Sequence, residues 1–556
     1  MTGSQCSPVL PSSGPETVAP ALLRRRADAA PGEVAIVEVE SERTWTWRAL
    51  TDDCLLWASA FERLGVSSGD RVLTMLPNSA SALTAWLGAA WLRAIEVPVN
   101  TGYRGRMLGY VIQNSGAQVG VIAERYLDRL VGVADQLGHL DTVVVPDASG
   151  PMPHLPFRVL PGAQFLAGVT AATDRPPPRK HDIAAMIYTS GTTGPSKGVL
   201  VPWAALFEVV NGMAPGFLSP DGTYYSIYPP FHMSGKSGII FAAHHEARVV
   251  LRESFSASRF WSDVRTHHCT SVMLMGPIAS VLMSAPENEQ DADNPLRCVA
   301  LGPLPGQLEQ FKRRFGVRVT TSYGSTEIGL PLSAGWSLPN TQTCGRARRG
   351  YPGYELRVVD EFDAPVGPNE VGELIVRTRE PWTMCVGYHG MPDKTAEAWR
   401  NGWFHTGDAF RFDDEGWFYF VDRMKDTIRR RGENISSFEI EACVNEHPAV
   451  IESVAIGVPS DLGEDDPMIF VLADPGAGLT AQALIDFLVE RVPRFMIPRY
   501  VEFVAELPKT DASFRTRKFE LRARGIGPDT WDREAPVTTG AADRPGEQLV
   551  PTEGLA

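Results

Sequence analysis

Cysteine is scarce in this sequence and carries no pattern. The seven cysteines among 556 residues, at 6, 54, 269, 298, 344, 385 and 443, include no CxxC pair and add to an odd number. That points to reduced thiols and a cytoplasmic protein, and it gives no cysteine a catalytic role. Positive charge is also short. The formal net charge of −14 argues against nucleic acid or an anionic membrane as the main partner. Long hydrophobic runs are missing. The most apolar helical stretch, Ala82 to Ile95, carries Arg93 and is too short to span a bilayer, so no membrane span is expected. The start Met1-Thr2-Gly3-Ser4-Gln5 has neither the basic flank nor the apolar core of a signal peptide. No repeat of solenoid period stands out. A Walker-type phosphate loop is absent too, because Lys197 follows Ser196 and precedes Gly198 instead of lying between Gly and Ser or Thr.

What is present centres on Tyr188-Thr189-Ser190-Gly191-Thr192-Thr193-Gly194-Pro195-Ser196-Lys197-Gly198. The apolar run Ile183–Ile187 precedes it and Val199-Leu200-Val201 follows. A buried strand that opens into such a loop and returns as a strand suits polyphosphate. Glycines let backbone N–H groups approach phosphate oxygens, hydroxyls add donors, and Lys197 adds a compact charge. Read alone, the loop could equally be a solvated Gly/Ser turn. The motifs further along decide against that.

With 44% hydrophobic and 21% charged residues the chain is an ordinary globular protein, long enough for roughly three or four domain-sized units. Residues 1–18 and 536–556 are rich in Pro, Gly, Ser or Thr and are expected to be disordered. From 19 past 300, short apolar strands alternate with helices, among them helices 203–213, 235–244, 256–267 and 305–315 and strands 224–228, 247–251, 271–275 and 297–301. That alternation predicts βαβ units and parallel sheets. From about 345 to 424 the texture becomes β-rich, and 425–535 reads as a compact α+β domain. The expected class is α/β: a large N-terminal domain (19–424) of stacked βαβ sheets with a small β-rich subdomain, then a small mobile α+β C-terminal domain.

Five further motifs follow in order: Pro230-Phe231-His232-Met233-Ser234-Gly235; Thr321-Ser322-Tyr323-Gly324-Ser325-Thr326-Glu327; Gly402-Trp403-Phe404-His405-Thr406-Gly407-Asp408; Asp422-Arg423 through Arg431-Gly432-Glu433-Asn434; and Pro508-Lys509-Thr510. In this combination, over roughly residues 20–530, the chain resembles the adenylate-forming (AMP-binding) superfamily of acyl-CoA synthetases, luciferases and non-ribosomal adenylation domains. Arg430-Arg431-Gly432-Glu433-Asn434-Ile435-Ser436 and Ser513-Phe514-Arg515 make it most similar to acyl-CoA ligases of the crotonobetaine/carnitine-CoA ligase and fatty-acid-transport-protein groups.

The resemblance implies an ATP-dependent carboxylic acid–CoA ligase. A small-molecule carboxylate attacks the α-phosphorus of ATP, which needs charge neutralisation and in-line positioning. Coenzyme A then takes the acyl group from acyl-AMP. Thr189, Ser190, Thr192 and Lys197, with Gly191, Thr193 and Gly194 in the same loop, are implied to hold the β- and γ-phosphates. Thr326 meets the α-phosphate beside Gly324. Glu327 ligates Mg²⁺, a hard oxygen for a hard cation. Asp408 and Arg423 reach the ribose, and Tyr323 with Gly302-Pro303 flanks the adenine. His232 lies between acyl pocket and adenylate. Lys425 is the hinge of the C-terminal domain, and Arg431, Gly432 and Glu433 line the pantetheine tunnel.

One departure stands out. Counting from Pro508 puts Phe514 where the family has its C-terminal adenylation lysine; aligning Phe514 with the aromatic of the fatty-acid-transport-like ending puts Arg515 there instead, the preferred alignment, and Arg515 keeps the charge on a planar fork. The acyl pocket is expected around 230–240, 275–280, 300–303 and 323–332. Lys236, one helical turn past His232, reads first as a solvated helix charge and alternatively as a partner for a second polar group on the acid. Loading of a separate carrier protein, luciferase-type oxidation and a degenerate nucleotide-binding homologue remain as other readings, and the family leaves a homodimer open.

Overall fold

A computed structural model gives the structure of residues 18–189, 196–424, 426, 428–430, 433–460, 465–489, 491, 492, 494–509 and 516–535. The chain divides into two compact units, Met1–Thr406 with Phe410–Phe420, and Gly407–Ala409 with Val421–Ala556.

The first unit is built on three sheets. In one, the strands run in the order Arg318–Thr320, Cys298–Gly302, Ser271–Met275, Thr223–Ser226, Arg248–Leu251, Val34–Glu38 and Arg43–Thr46. All neighbours are parallel except the last pair. The second sheet contains Ile95–Pro98, Arg71–Met75 and Val119–Ile122 in its parallel part, continues through the antiparallel pair Ile183–Thr189 and Lys197–Pro202, and ends at that edge in the short strand Gly387–Tyr388. These strands are short, β-branched or otherwise apolar, and buried on both faces, as parallel sheets covered by helices require. The third sheet starts with Ser322–Ser325 and Gly329–Ser333. It therefore begins well before the turn-rich texture at 345, because Ser322-Tyr323-Gly324-Ser325 is too short and polar to announce a strand.

Helix Ala80–Trp91 is buried on nearly every side, and Ser79 caps it by accepting from Ala82 N at 3.3 Å. Helix Met233–His245 is equally enclosed. A helix apolar all round has no solvated face, and this corrects the expectation for Lys236. Lys236 is 1% exposed and ion-paired with Glu96, itself 1% exposed. Thr74 Oγ1 donates to the other Glu96 oxygen at 2.8 Å, and Lys236 Nζ lies 4.2 Å from the Trp86 ring centre. The lysine thus ties a helix packed on the first sheet to a strand of the second, and its charge is matched inside the protein. Expected helix 256–267 is shorter, Phe260–Thr266, because residues 256–259 make a turn that leads into it.

The second unit carries a sheet of Val450–Pro459, Asp465–Ala473, Tyr500–Phe503 and Trp531–Asp532, with helices Ser437–Val444, Ala481–Val489 and Lys518–Arg524. Its core gathers Ile440, Ile469, Val471, Leu484, Leu488 and Val501. Buried Asp466 binds two guanidinium groups, of Arg430 and Arg499, each at 2.9 Å.

Candidate active site

In open parallel sheets ligands bind beyond the carboxyl ends of the strands. Four adjacent parallel strands of the first sheet end at Ser226, Met275, Gly302 and Thr320. The segments that leave them carry His232, Gly276, Gly302-Pro303 and Tyr323, so the topology puts three of the predicted motifs along one edge. Gly302 lies beside Ser322: a Cβ on it would stand 3.8 Å from the Ser322 carbonyl oxygen. His232 precedes helix Met233–His245 and packs against Phe231 with ring centres 4.9 Å apart. Gly235 is required there, since a Cβ would come within 2.0 Å of Pro229 O.

The glycine-rich loop joins the antiparallel strands Ile183–Thr189 and Lys197–Pro202, with Thr189 directly opposite Lys197. The strands on either side of the loop are therefore as expected. Ser190, Gly191, Thr192, Thr193 and Gly194 lie outside the described residues, as do Lys425, Arg431, Gly432 and Arg515, and of Glu433 only the backbone is described, opposite Arg430 in a short hairpin.

Thr326 and Glu327 occupy the tight turn between the strands Ser322–Ser325 and Gly329–Ser333. Gly324 makes the turn possible, because a Cβ on it would come within 1.8 Å of Gly329 O. Hydroxyls hold the Glu327 carboxylate from both sides: Ser325 Oγ donates to Oε2 at 2.8 Å and Tyr388 donates to Oε1 at 3.3 Å. The backbone is pinned as well. Glu327 O accepts from Cys385 N at 2.8 Å, and Ile328 O accepts from Tyr354 OH at 2.8 Å. Behind the turn, Arg348 donates to Leu330 O and to buried Glu208, both at 2.9 Å. Glu327 is half-buried and forms no ion pair with a Lys or Arg among the described residues. A hard carboxylate held, among the described residues, only by hydroxyls fits a magnesium ion, which commonly takes one or two protein carboxylates and completes its shell with phosphates and water.

Lys197 and Glu327 meet the same side chain. Lys197 Nζ sits 4.5 Å from the centre of the Tyr388 ring whose hydroxyl binds Glu327. Burial first, then the neighbouring Glu327 and Cys385, push the Tyr388 phenol well above its usual range, so it remains a donor. Sequence reasoning missed Tyr388, Tyr354, Glu208 and Arg348. Only the pair Gly387-Tyr388 offered a local signal, and it was faint. Tyr323 meets Phe410 edge to face, 4.7 Å between centres.

Asp408 and Arg423 come together in the second unit. Arg423 Nε stands 3.4 Å from Asp408 Oδ1, and Met424 N donates to Gly407 O at 2.9 Å. Asp408 is 7% exposed.

The fold and this site define an adenylate-forming ligase of the acyl-CoA synthetase class. The chain belongs to the AMP-binding enzyme family, whose profile matches residues 23–389, with the AMP-binding enzyme C-terminal domain matching 439–513. It is 31% identical over 463 residues to a crotonobetaine/carnitine–CoA ligase of Salmonella arizonae, covering 81% of this chain and 88% of that protein. To the enzyme of the same name from Escherichia coli O8 it is 30% identical, covering 83% and 90%. The solved anthranilate CoA ligase in complex with anthranoyl-AMP superposes with a TM-score of 0.81 at 25% identity, covering 91% of this chain and 97% of that one. A benzoate CoA ligase from Burkholderia xenovorans shares the fold, with a TM-score of 0.79 at 22% identity over 91% and 99% of the two chains. Among the described residues no helix is long and apolar enough to cross a membrane.

Proposed function

We propose the following division of labour for the two half-reactions. In the first, a carboxylate oxygen attacks the α-phosphorus of ATP and pyrophosphate leaves. In the second, the CoA thiolate attacks the acyl-adenylate carbonyl, AMP leaves, and the thioester is complete. Lys197 and Thr189, with Ser190, Gly191, Thr192, Thr193 and Gly194, grip the departing pyrophosphate. Thr326 contacts the α-phosphate, where charge neutralisation admits an anionic nucleophile. Glu327 would hold Mg²⁺, and the bound ion would neutralise phosphate charge there. Tyr323 and Gly302-Pro303 take the adenine, and Asp408 and Arg423 the ribose hydroxyls. His232 borders the acyl group. Lys425 serves as hinge, Arg431, Gly432 and Glu433 serve the CoA step, and Arg515 supplies the basic group of adenylation.

The observation that carries this reading is the convergence of Lys197 and Glu327 on one tyrosine. A cation for phosphates lies over the ring and a carboxylate for metal takes its hydroxyl. The six described cysteines are outside any disulfide, which supports a reducing, cytoplasmic setting. A homodimer rests on the family resemblance alone and is read by light scattering. The deciding experiment is pyrophosphate release across carnitine-like, aromatic, steroid-like and fatty acids, with CoA present. The expected result is release that depends on one acid class and yields its CoA thioester. ATP binding with no acid-dependent release anywhere in the panel would overturn the reading.

A further inference from the structure

The placement of Tyr388 is over-determined. Strand Gly387–Tyr388 pairs antiparallel with Lys197–Pro202, putting Tyr388 opposite Val199, and His389 N donates to Gly198 O at 2.8 Å. Its own N–H donates to Thr395 Oγ1 at 3.0 Å. The preceding Gly387 has φ +148°, and a Cβ on it would meet Thr395 Cγ2 at 2.6 Å. The ring is 8% exposed. Backbone pairing and helix Pro392–Ala398 thus fix the phenol with Lys197 over its ring and Glu327 at its hydroxyl.

An aromatic face attracts a lysine and restricts where its ammonium lies. A hydroxyl orients a carboxylate while occupying one of its several lone-pair positions.

We propose that Tyr388 is a positioning residue that aims Lys197 and Glu327, its ring holding the lysine for the phosphates and its hydroxyl holding the carboxylate plane for the metal. This rests on the reading of Glu327 as the metal-binding carboxylate. The two halves of the tyrosine are separable. Tyr388→Phe keeps the ring and deletes the hydroxyl, and Tyr388→Leu deletes both.

The test uses the full chain and direct binding. Mn²⁺ bound to the protein–ATP complex is followed by electron paramagnetic resonance. Metal-free ATP is titrated calorimetrically in the presence of a chelator. Tyr388→Phe is expected to weaken Mn²⁺ binding about 10-fold, the usual low end for an outer-shell partner, with metal-free ATP binding and melting temperature unchanged. Tyr388→Leu is expected to weaken both bindings. Glu327→Gln is the control. If it weakens Mn²⁺ binding and Tyr388→Phe does not, Tyr388 has no positioning role. If Glu327→Gln itself leaves Mn²⁺ affinity intact, the assignment of Glu327 falls first and this inference falls with it. Should Tyr388→Leu fail to fold, the Phe variant alone decides.

Discussion

At the scale of single residues, the site depends on positions where only hydrogen fits. Gly324 is the sharpest. Any side chain there runs into Gly329 O, 1.8 Å from an added Cβ, so the turn that carries Thr326 and Glu327 must move. Gly324→Ala is expected to fold, because the third sheet is paired elsewhere, and to lose about 100-fold in pyrophosphate exchange, as displacements of an ångström at a reacting centre do. Circular dichroism checks the fold and isotope exchange the rate. At this scale the sequence was eloquent about groups that touch ligand and silent about groups that hold them. Glu327 stands in a motif. Tyr388, 61 positions away, reaches it through a two-residue strand paired with Lys197–Pro202 and the backbone bond from Cys385 N. No local pattern encodes such a contact, and Tyr354 and Arg348 escape notice for the same reason.

Elements tell the same story through burial. Alternation of strands and helices was legible from residue 203 to 320 because apolar runs and turn residues agree there. The strands Thr142–Val145 and Arg158–Pro161 passed unread, since four residues between irregular segments give no period to count. Lys236 misled because a lone lysine in a helix normally marks a solvated face, whereas its partner, Glu96, lies in a different sheet. The pair makes a prediction. Lys236→Met leaves Glu96 buried and uncompensated and is expected to cost about 3–5 kcal/mol. Adding Glu96→Leu is expected to restore most of that, because an apolar pair of similar volume replaces a buried ion pair at little net cost. Denaturant midpoints of the two variants measure both effects. Equal loss in single and double variant would show that the helix does not depend on the pair.

For the whole molecule, pH acts through groups far from the chemistry. His244, at the end of helix Met233–His245, is pushed down to about 4 by burial first, then by His245 and Arg25. Burial lowers His245 as well. A histidine held neutral in the fold but protonated in the unfolded chain takes up protons on unfolding. Stability is then complete above an ordinary histidine pKa of about 6.5 and falls as pH drops towards about 4. The melting temperature is expected to decline across that window, and His244→Gln to make the decline shallower. An unchanged slope would remove His244 as its source.

Acyl-AMP formation is the step on which the rest depends, and one isotope measurement reaches it without intermediaries. The acid identified in the panel is supplied with heavy oxygen in its carboxyl group, and the products of turnover with ATP and CoA are weighed by mass spectrometry. Attack of the carboxylate on the α-phosphorus predicts one labelled oxygen in AMP per turnover and none in pyrophosphate. Unlabelled AMP, or label in inorganic phosphate or pyrophosphate, would contradict it.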